Sequence, residues 1–203
     1  MPKAKSPVLR PRIEGLSDLI FGIALSIGAI ELGNAPKTQG QLITALAAFG
    51  FSFLILINVW NRYTTIASMV PFETTALIRL NMLLLFTVVV EPYLFNLLVI
   101  QGLASQPLGQ EVSACFALDI GGMNLVLAYF AHILTREERN LIAPKLIHSF
   151  KLTRDRVFVS GLIFVISAIP IFWTINIIDL PLRVLLWLSA LLVLWVSKLL
   201  VRR

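Results

Sequence analysis

Residues 12–32 read RIEGLSDLIFGIALSIGAIEL, an apolar run with a carboxylate near each end. Only twelve apolar or small residues separate Asp18 from Glu31, and one of them is Ser26. A helix that faces lipid needs about 20 predominantly apolar residues, so this one spans hydrocarbon poorly by itself. At helical spacing Leu16, Ile20, Ile23, Ile27 and Ile30 form one stripe, with Ser26 at its border. Gly22, Ser26, Ala29 and Gly33 form a second strip small enough for close helix approach. The plainer interpretation is a core helix that shows isoleucine to lipid, and composition alone favours it. Against it stand the two carboxylates, because exposing a charge to hydrocarbon costs about 2.5–3.5 kcal/mol or more. Charged ends, an aliphatic middle and one hydroxyl suit a narrow pore with an apolar constriction.

The rest of the chain is greasier. Of 203 residues, 58% are hydrophobic and 14% charged. Soluble domains run at about 45–50% and about 25%, so the composition is that of a multi-pass membrane protein. Hydropathy outlines six spans, near 16–33, 40–60, 77–100, 112–134, 157–175 and 181–200. All are expected to be helices, since open sheet edges go unsatisfied in lipid. Turn chemistry separates them at Gly33-Asn34-Ala35-Pro36, Val70-Pro71 and Ser105-Gln106-Pro107. Asp179-Leu180-Pro181 joins the last two spans so tightly that they must form an antiparallel hairpin. The expectation is an all-α membrane protein with one domain over residues 1–203.

The net charge of +6 is better read by position than as affinity for nucleic acid, which is not expected as a partner. With the N-terminus inside, fifteen Lys and Arg residues fall on the cytoplasmic side, against Lys37 and Arg183 outside. That asymmetry supports an even span count with both termini cytoplasmic, in the cell membrane. The basic start resembles a signal peptide, but no small-residue cleavage site follows convincingly, and the segment is expected to be retained. The lone Cys115 forms no intrachain disulfide and reads as a small apolar residue. Neither His132 nor His148 has a second histidine within metal-ligand spacing, and no nucleophile elbow occurs. No enzyme activity and no cofactor are expected.

The segment Arg12-x-x-x-Leu16-Ser17-Asp18 is one residue from the Arg-x-x-x-Phe-Ser-Asp signature of the transmembrane protein 175 family of potassium channels. The following Leu19–Ile27, Trp60, Arg79-Leu80-Asn81 and Pro92 also resemble that family, which the first half of the chain matches well. The second half matches in hydropathy and length. The resemblance implies a homotetramer of six-helix subunits, first helices around a central axis, conducting potassium ions through the lipid bilayer without a carbonyl-lined filter. It places the aliphatic constriction at Ile23, with Ser26, Ile27 and Ile30 also facing the ion pathway. It assigns Arg12, Ser17 and Asp18 to a polar network on the cytoplasmic side with Trp60 and Asn81. Two departures stand out: Leu16 replaces the signature phenylalanine, a packing anchor, and Trp60-Asn61-Arg62-Tyr63 lacks the histidines that commonly follow the tryptophan.

Passive potassium conduction is therefore the expected function, with Glu31 drawing cations to the outer mouth and Asp18 mainly structural. The alternative is a secondary transporter or proton pathway using Glu91, beside Pro92, and Asp119, beside Gly121-Gly122. The simpler account of those carboxylates is local pairing beside helix kinks at the proline and the glycines.

Overall fold

A computed structural model describes residues 9–30, 38–70, 75–101, 107–136, 142–177 and 180–201. The elements are α1 (Leu9–Ile30), α2 (Gln39–Ala67), α3 (Thr75–Gln101), α4 (Pro107–Leu134), α5 (Pro144–Ser167), the short α6 (Ile171–Thr174), and α7 (Leu182–Val201). A two-residue antiparallel pair, β1 (Asn176–Ile177) with β2 (Leu180–Pro181), closes the turn before α7. Three of these helices are long and apolar enough to cross a membrane: Gln39–Ala67, Thr75–Val99 and Leu108–Leu134. α7 contributes a shorter apolar stretch, Leu182–Leu194, among the described residues.

Boundary chemistry explains several of the ends. The Thr38 hydroxyl accepts the Gln41 amide at 3.2 Å and caps α2. Pro107 and Pro144 open α4 and α5, where a missing amide hydrogen costs nothing. At about 1.5 Å per residue, the 29 residues of α2 reach roughly 43 Å, longer than a hydrocarbon core of about 30 Å. A helix of that length need not lie wholly within hydrocarbon, and its last turns carry the polar Asn61, Arg62, Thr64 and Thr65.

The helix expected at 157–175 begins thirteen residues earlier, at Pro144, and ends at Ser167. Hydropathy misses the first half because Lys145, Lys151, Arg154 and Arg156 lie in it. Phe150, Val157, Gly161 and Phe164 nevertheless keep one buried face along the whole helix.

α4 is the central helix: 61% of its most apolar window is buried, against 25% for α2. It runs as one helix through Gly121 and Gly122, so neither glycine ends it. Gly121 instead serves close approach, since a Cβ there would stand 2.7 Å from a Val165 methyl and 3.1 Å from the Gly161 oxygen. Gly161 returns the contact, with Leu125 and the Asn124 Cβ at 3.1–3.2 Å from its own hypothetical Cβ. Small residues at such crossings let membrane helices gain dispersion contacts that lipid cannot match. Aromatic rings continue the core across the bundle: Phe51 to Phe95 (5.8 Å), Phe95 to Phe116 (5.7 Å), Phe116 to Trp187 (5.2 Å), and Trp187 to Phe164 (6.3 Å).

Arg183 departs most from its sequence reading. Counted above as a charge of the outer loops, its side chain is completely buried. Its Nε donates to the Ser167 carbonyl at 2.7 Å, and Nη2 to the Ala168 and Ile169 carbonyls at 3.0 and 3.2 Å. Its Nη1 donates to the Gln110 carbonyl at 2.9 Å and to the Ser113 hydroxyl. The Trp173 ring covers the guanidinium at 5.4 Å. A first-turn residue of α7 thereby satisfies the last carbonyls of α5 and holds the first turns of α4. Trp187, one turn on, donates to the Ser167 hydroxyl at 2.9 Å.

Replacing the arginine strands several buried acceptors at once. Arg183→Ala is expected to lower unfolding free energy by about 3 kcal/mol or more. Thermal unfolding of purified protein in detergent would show this as a marked fall in midpoint; an unchanged midpoint would show that the clamp is dispensable.

Candidate ion pathway

α1 packs against α3 and α2 through Ile13, Ser17, Phe21 and Ala24, all buried and spaced by three or four residues. The opposite face is uncovered. Leu16, Leu19 and Ile23 are 41%, 60% and 46% exposed, and Gly22 and Ser26 beside them are exposed too. Ile20 and Ile27 lie half-buried at the edges. Leu16 is therefore no packing anchor within the subunit, contrary to the role expected of its position. Gly22 and Ser26 of the small-residue strip likewise face outward, with nothing within 4 Å of a Cβ built at Gly22.

Ser26 donates its hydroxyl hydrogen to the Gly22 carbonyl one turn back, at 2.8 Å. That bond occupies the hydrogen and leaves the oxygen lone pairs turned outward from the helix, available to a cation or a water. Arg12 and Ile30 lie on α1, but their side chains, like all of Glu31, fall outside the described residues.

The inner face of α1 carries a polar chain at its N-terminal half. Ser17 Oγ lies 2.7 Å from Tyr63 Oη and 2.8 Å from the Ile13 carbonyl. Tyr63 Oη in turn donates to Asn81 Oδ1 at 2.8 Å. All three side chains are buried, and the Phe21 ring packs on Tyr63 with centroids 5.5 Å apart. Three contacts require three hydrogens, while the two hydroxyls supply only two. The Asn81 Nδ2, buried without a partner among the described residues, is the natural source of the third. With the amide turned over, Asn81 donates to Tyr63, Tyr63 to Ser17, and Ser17 to Ile13. All three contacts then have a hydrogen, and the amide oxygen and the second amide hydrogen of Asn81 have no partner among the described residues. Beside this chain the half-buried Trp60 donates its indole hydrogen to Asp18 Oδ1 at 3.2 Å.

The structure thus brings Ser17, Asp18, Trp60 and Asn81 to one end of α1, α2 and α3. Tyr63 is the member that sequence reasoning missed. It follows Trp60 by three residues, on the same side of α2, and that spacing was the available signal. Deeper in the bundle, both oxygens of the buried Glu91 accept from Ser52 at 3.1 Å, joining α2 to α3. α3 remains helical through Pro92, whose missing amide hydrogen frees the carbonyl one turn back. Asp119 is half-buried, and its Oδ2 has no hydrogen-bond partner among the described residues. No cluster of three or more His, Cys, Asp or Glu able to hold a metal occurs among the described residues.

Comparison with known proteins bears on this arrangement. Residues 12–92 match the family described as endosomal/lysosomal potassium channel TMEM175, which covers α1, α2 and α3 as far as Pro92. The whole chain is similar in fold to the crystal structure of a lysosomal potassium-selective channel TMEM175 homolog from Chamaesiphon minutus. That likeness has a TM-score of 0.57 at 19% identity and covers 89% of this chain and 97% of that one. It is also similar to a variant of the potassium channel MtTMEM175 in complex with a nanobody–MBP fusion, with a TM-score of 0.61 at 17% identity, covering 99% and 96%. At these identities the likeness establishes fold alone. No curated protein matches the chain.

Tyr63→Phe would keep the ring contact with Phe21 and remove the hydroxyl that bridges Ser17 to Asn81. A loss of about 1–3 kcal/mol is expected, the cost of buried polar groups left bare. In a double-mutant cycle with Ser17→Ala, thermal stability should fall by less than the sum of the single losses. Additive losses would show that the two hydroxyls act independently.

Proposed function

We propose that this chain, which over residues 12–92 belongs to the TMEM175 family, is the pore-forming subunit of a potassium channel. It is a multi-pass membrane protein and not an enzyme. In this reading each subunit spans the cell membrane six times with both termini cytoplasmic. Four copies surround one axis with their first helices, and potassium moves passively down its gradient.

One observation carries the reading: α1 is held by one face only, and its other face presents Ile23 and Ser26 outward. A lipid-facing helix has no need of Asp18 on its exposed side, whereas a helix at a wet axis accommodates it. A ring of Ile23 side chains would narrow the path and gate it by dewetting. Ser26, one turn along, would offer oxygen lone pairs to a dehydrating cation. Ile27 and Ile30 would continue the wall, and Glu31 would concentrate cations at the outer mouth. Ser17, Tyr63 and Asn81, with Asp18 and Trp60, would fix the tilt and rotation of α1 without touching the ion, and Arg12 would join them.

The rival built on Glu91 and Asp119 finds partial support in the unpartnered Asp119 Oδ2, whereas Glu91 is engaged with Ser52. Potassium flux from proteoliposomes separates the two. Flux under a potassium gradient alone supports a channel, and flux that requires a second ion's gradient supports a transporter.

Within the channel reading, Ile23→Ala should raise flux severalfold and admit more sodium, because a smaller ring wets more readily. Unchanged flux and selectivity would move the constriction away from Ile23. Ser26→Ala should cut the preference for potassium about fivefold, the equivalent of about 1 kcal/mol for one polar contact, with assembly intact. Ser26→Thr should preserve it. Equal selectivity in all three proteins would leave Ser26 as helix packing.

A further inference from the structure

A second polar site lies away from α1. Where the end of α2 meets α5 and α7, a cavity of about 470 Å³ opens at the same end of the bundle as Tyr63. Its polar lining is Asn61, Arg62, Thr65, Ser149, Thr153 and Arg156, with no carboxylate among the described residues. Its floor is apolar, formed by Ile66, Phe150, Val157 and Leu194.

The charges in this cavity are uncompensated. Arg62 is half-buried, and its hydrogen bond among the described residues runs from Nη1 to Asn124 Oδ1 at 3.2 Å. Arg156, also half-buried, has no hydrogen-bond or ionic partner among the described residues. The adjacent Arg154 differs, with Nη2 2.7 Å and Nε 2.8 Å from Asp155 Oδ1. Two guanidinium groups sharing one recess repel each other, and poor hydration magnifies that repulsion. A bound anion relieves it. The hydroxyls of Thr65 and Thr153 are committed to the carbonyls of Asn61 and Ser149, at 2.8 and 3.0 Å. The Ser149 hydroxyl and the Asn61 amide remain as donors beside the two arginines.

We propose that this cavity between α2, α5 and α7 is a binding site for a phosphoryl group, held by Arg62 and Arg156 with Ser149 and Asn61 as neutral donors. Guanidinium forks match phosphate oxygens in pairs, and neutral donors complete the shell. The phosphoryl group comes from an anionic lipid headgroup or from free phosphate. The apolar floor suits the glycerol end of a lipid. Arg62 also neighbours Tyr63 in sequence, so an occupant would brace the part of α2 that holds α1.

Native mass spectrometry of delipidated full-length protein, titrated with phosphatidylglycerol or phosphatidylcholine, tests the site. The parent protein should hold phosphatidylglycerol about tenfold more tightly than phosphatidylcholine, as charge-assisted bonds to one anion require. Arg156→Gln should remove most of that preference, and Ser149→Ala, at an exposed position that tolerates change, should reduce it about threefold. Arg154→Gln removes the same charge from the same helix outside the cavity and should leave the preference within about twofold. Displacement of phosphatidylglycerol by millimolar inorganic phosphate would identify the free anion as sufficient, and resistance to it would identify the lipid. Equal retention of both lipids by the parent protein overturns the proposal. So does an Arg156→Gln effect no larger than that of Arg154→Gln. Neither result depends on whether the protein conducts potassium.

Discussion

Hydrocarbon offers no hydrogen-bond partner, so a polar group taken into a membrane bundle is costly unless the protein itself supplies one. That constraint organises this chain into two halves. In the first, Ser17, Tyr63 and Asn81 tie α1 to α2 and α3 at one end, Asp18 meets Trp60 nearby, and Ser52 meets Glu91 farther along. In the second, Arg183 gathers the start of α4, the end of α5 and the start of α7 around one guanidinium. Leaving any of these groups bare would cost about 1–3 kcal/mol, more for a charge, which is a large share of an ordinary stability. The ties therefore select one relative placement of helices that dispersion alone would leave loosely specified.

The halves meet through softer contacts. The rings from Phe51 and Phe95 to Phe116, Trp187 and Phe164 run from α2 and α3 into α4, α7 and α5. Arg62 adds a bond from α2 to Asn124 on α4, close to the crossing at Gly121 and Gly161. α4 and α5 approach too closely there to accept a side chain, so this crossing has little freedom. α1 has far more, being held along a single face. The proposed conduction path lies along this helix.

The candidate site was legible in the sequence to the extent that it depends on local pattern. The periodicity of residues 12–32 showed an isoleucine stripe with Ser26 beside it, and the carboxylates Asp18 and Glu31 near its two ends marked the helix as unusual. Ser17, Trp60 and Asn81 were legible only through family resemblance, because nothing in their spacing says that three separate helices converge. Tyr63 escaped notice since a tyrosine near a span end is ordinary, and its role appears only when Ser17 and Asn81 arrive on either side of it. The long N-terminal turns of α5 escaped because hydropathy averages its charges with its buried face.

By itself the sequence determined that the chain is helical, membrane-embedded and asymmetric in its basic residues. Those properties follow from composition and from the 3.6-residue period, which neighbours in sequence settle between them. Tertiary structure alone decided which polar residues pair, that Gly121 and Gly161 serve close packing, and that Arg183 is buried although it flanks a turn. It also decided which face of α1 its own subunit leaves uncovered. Partnership in a membrane depends on distances between helices far apart in sequence, and no local pattern carries that information.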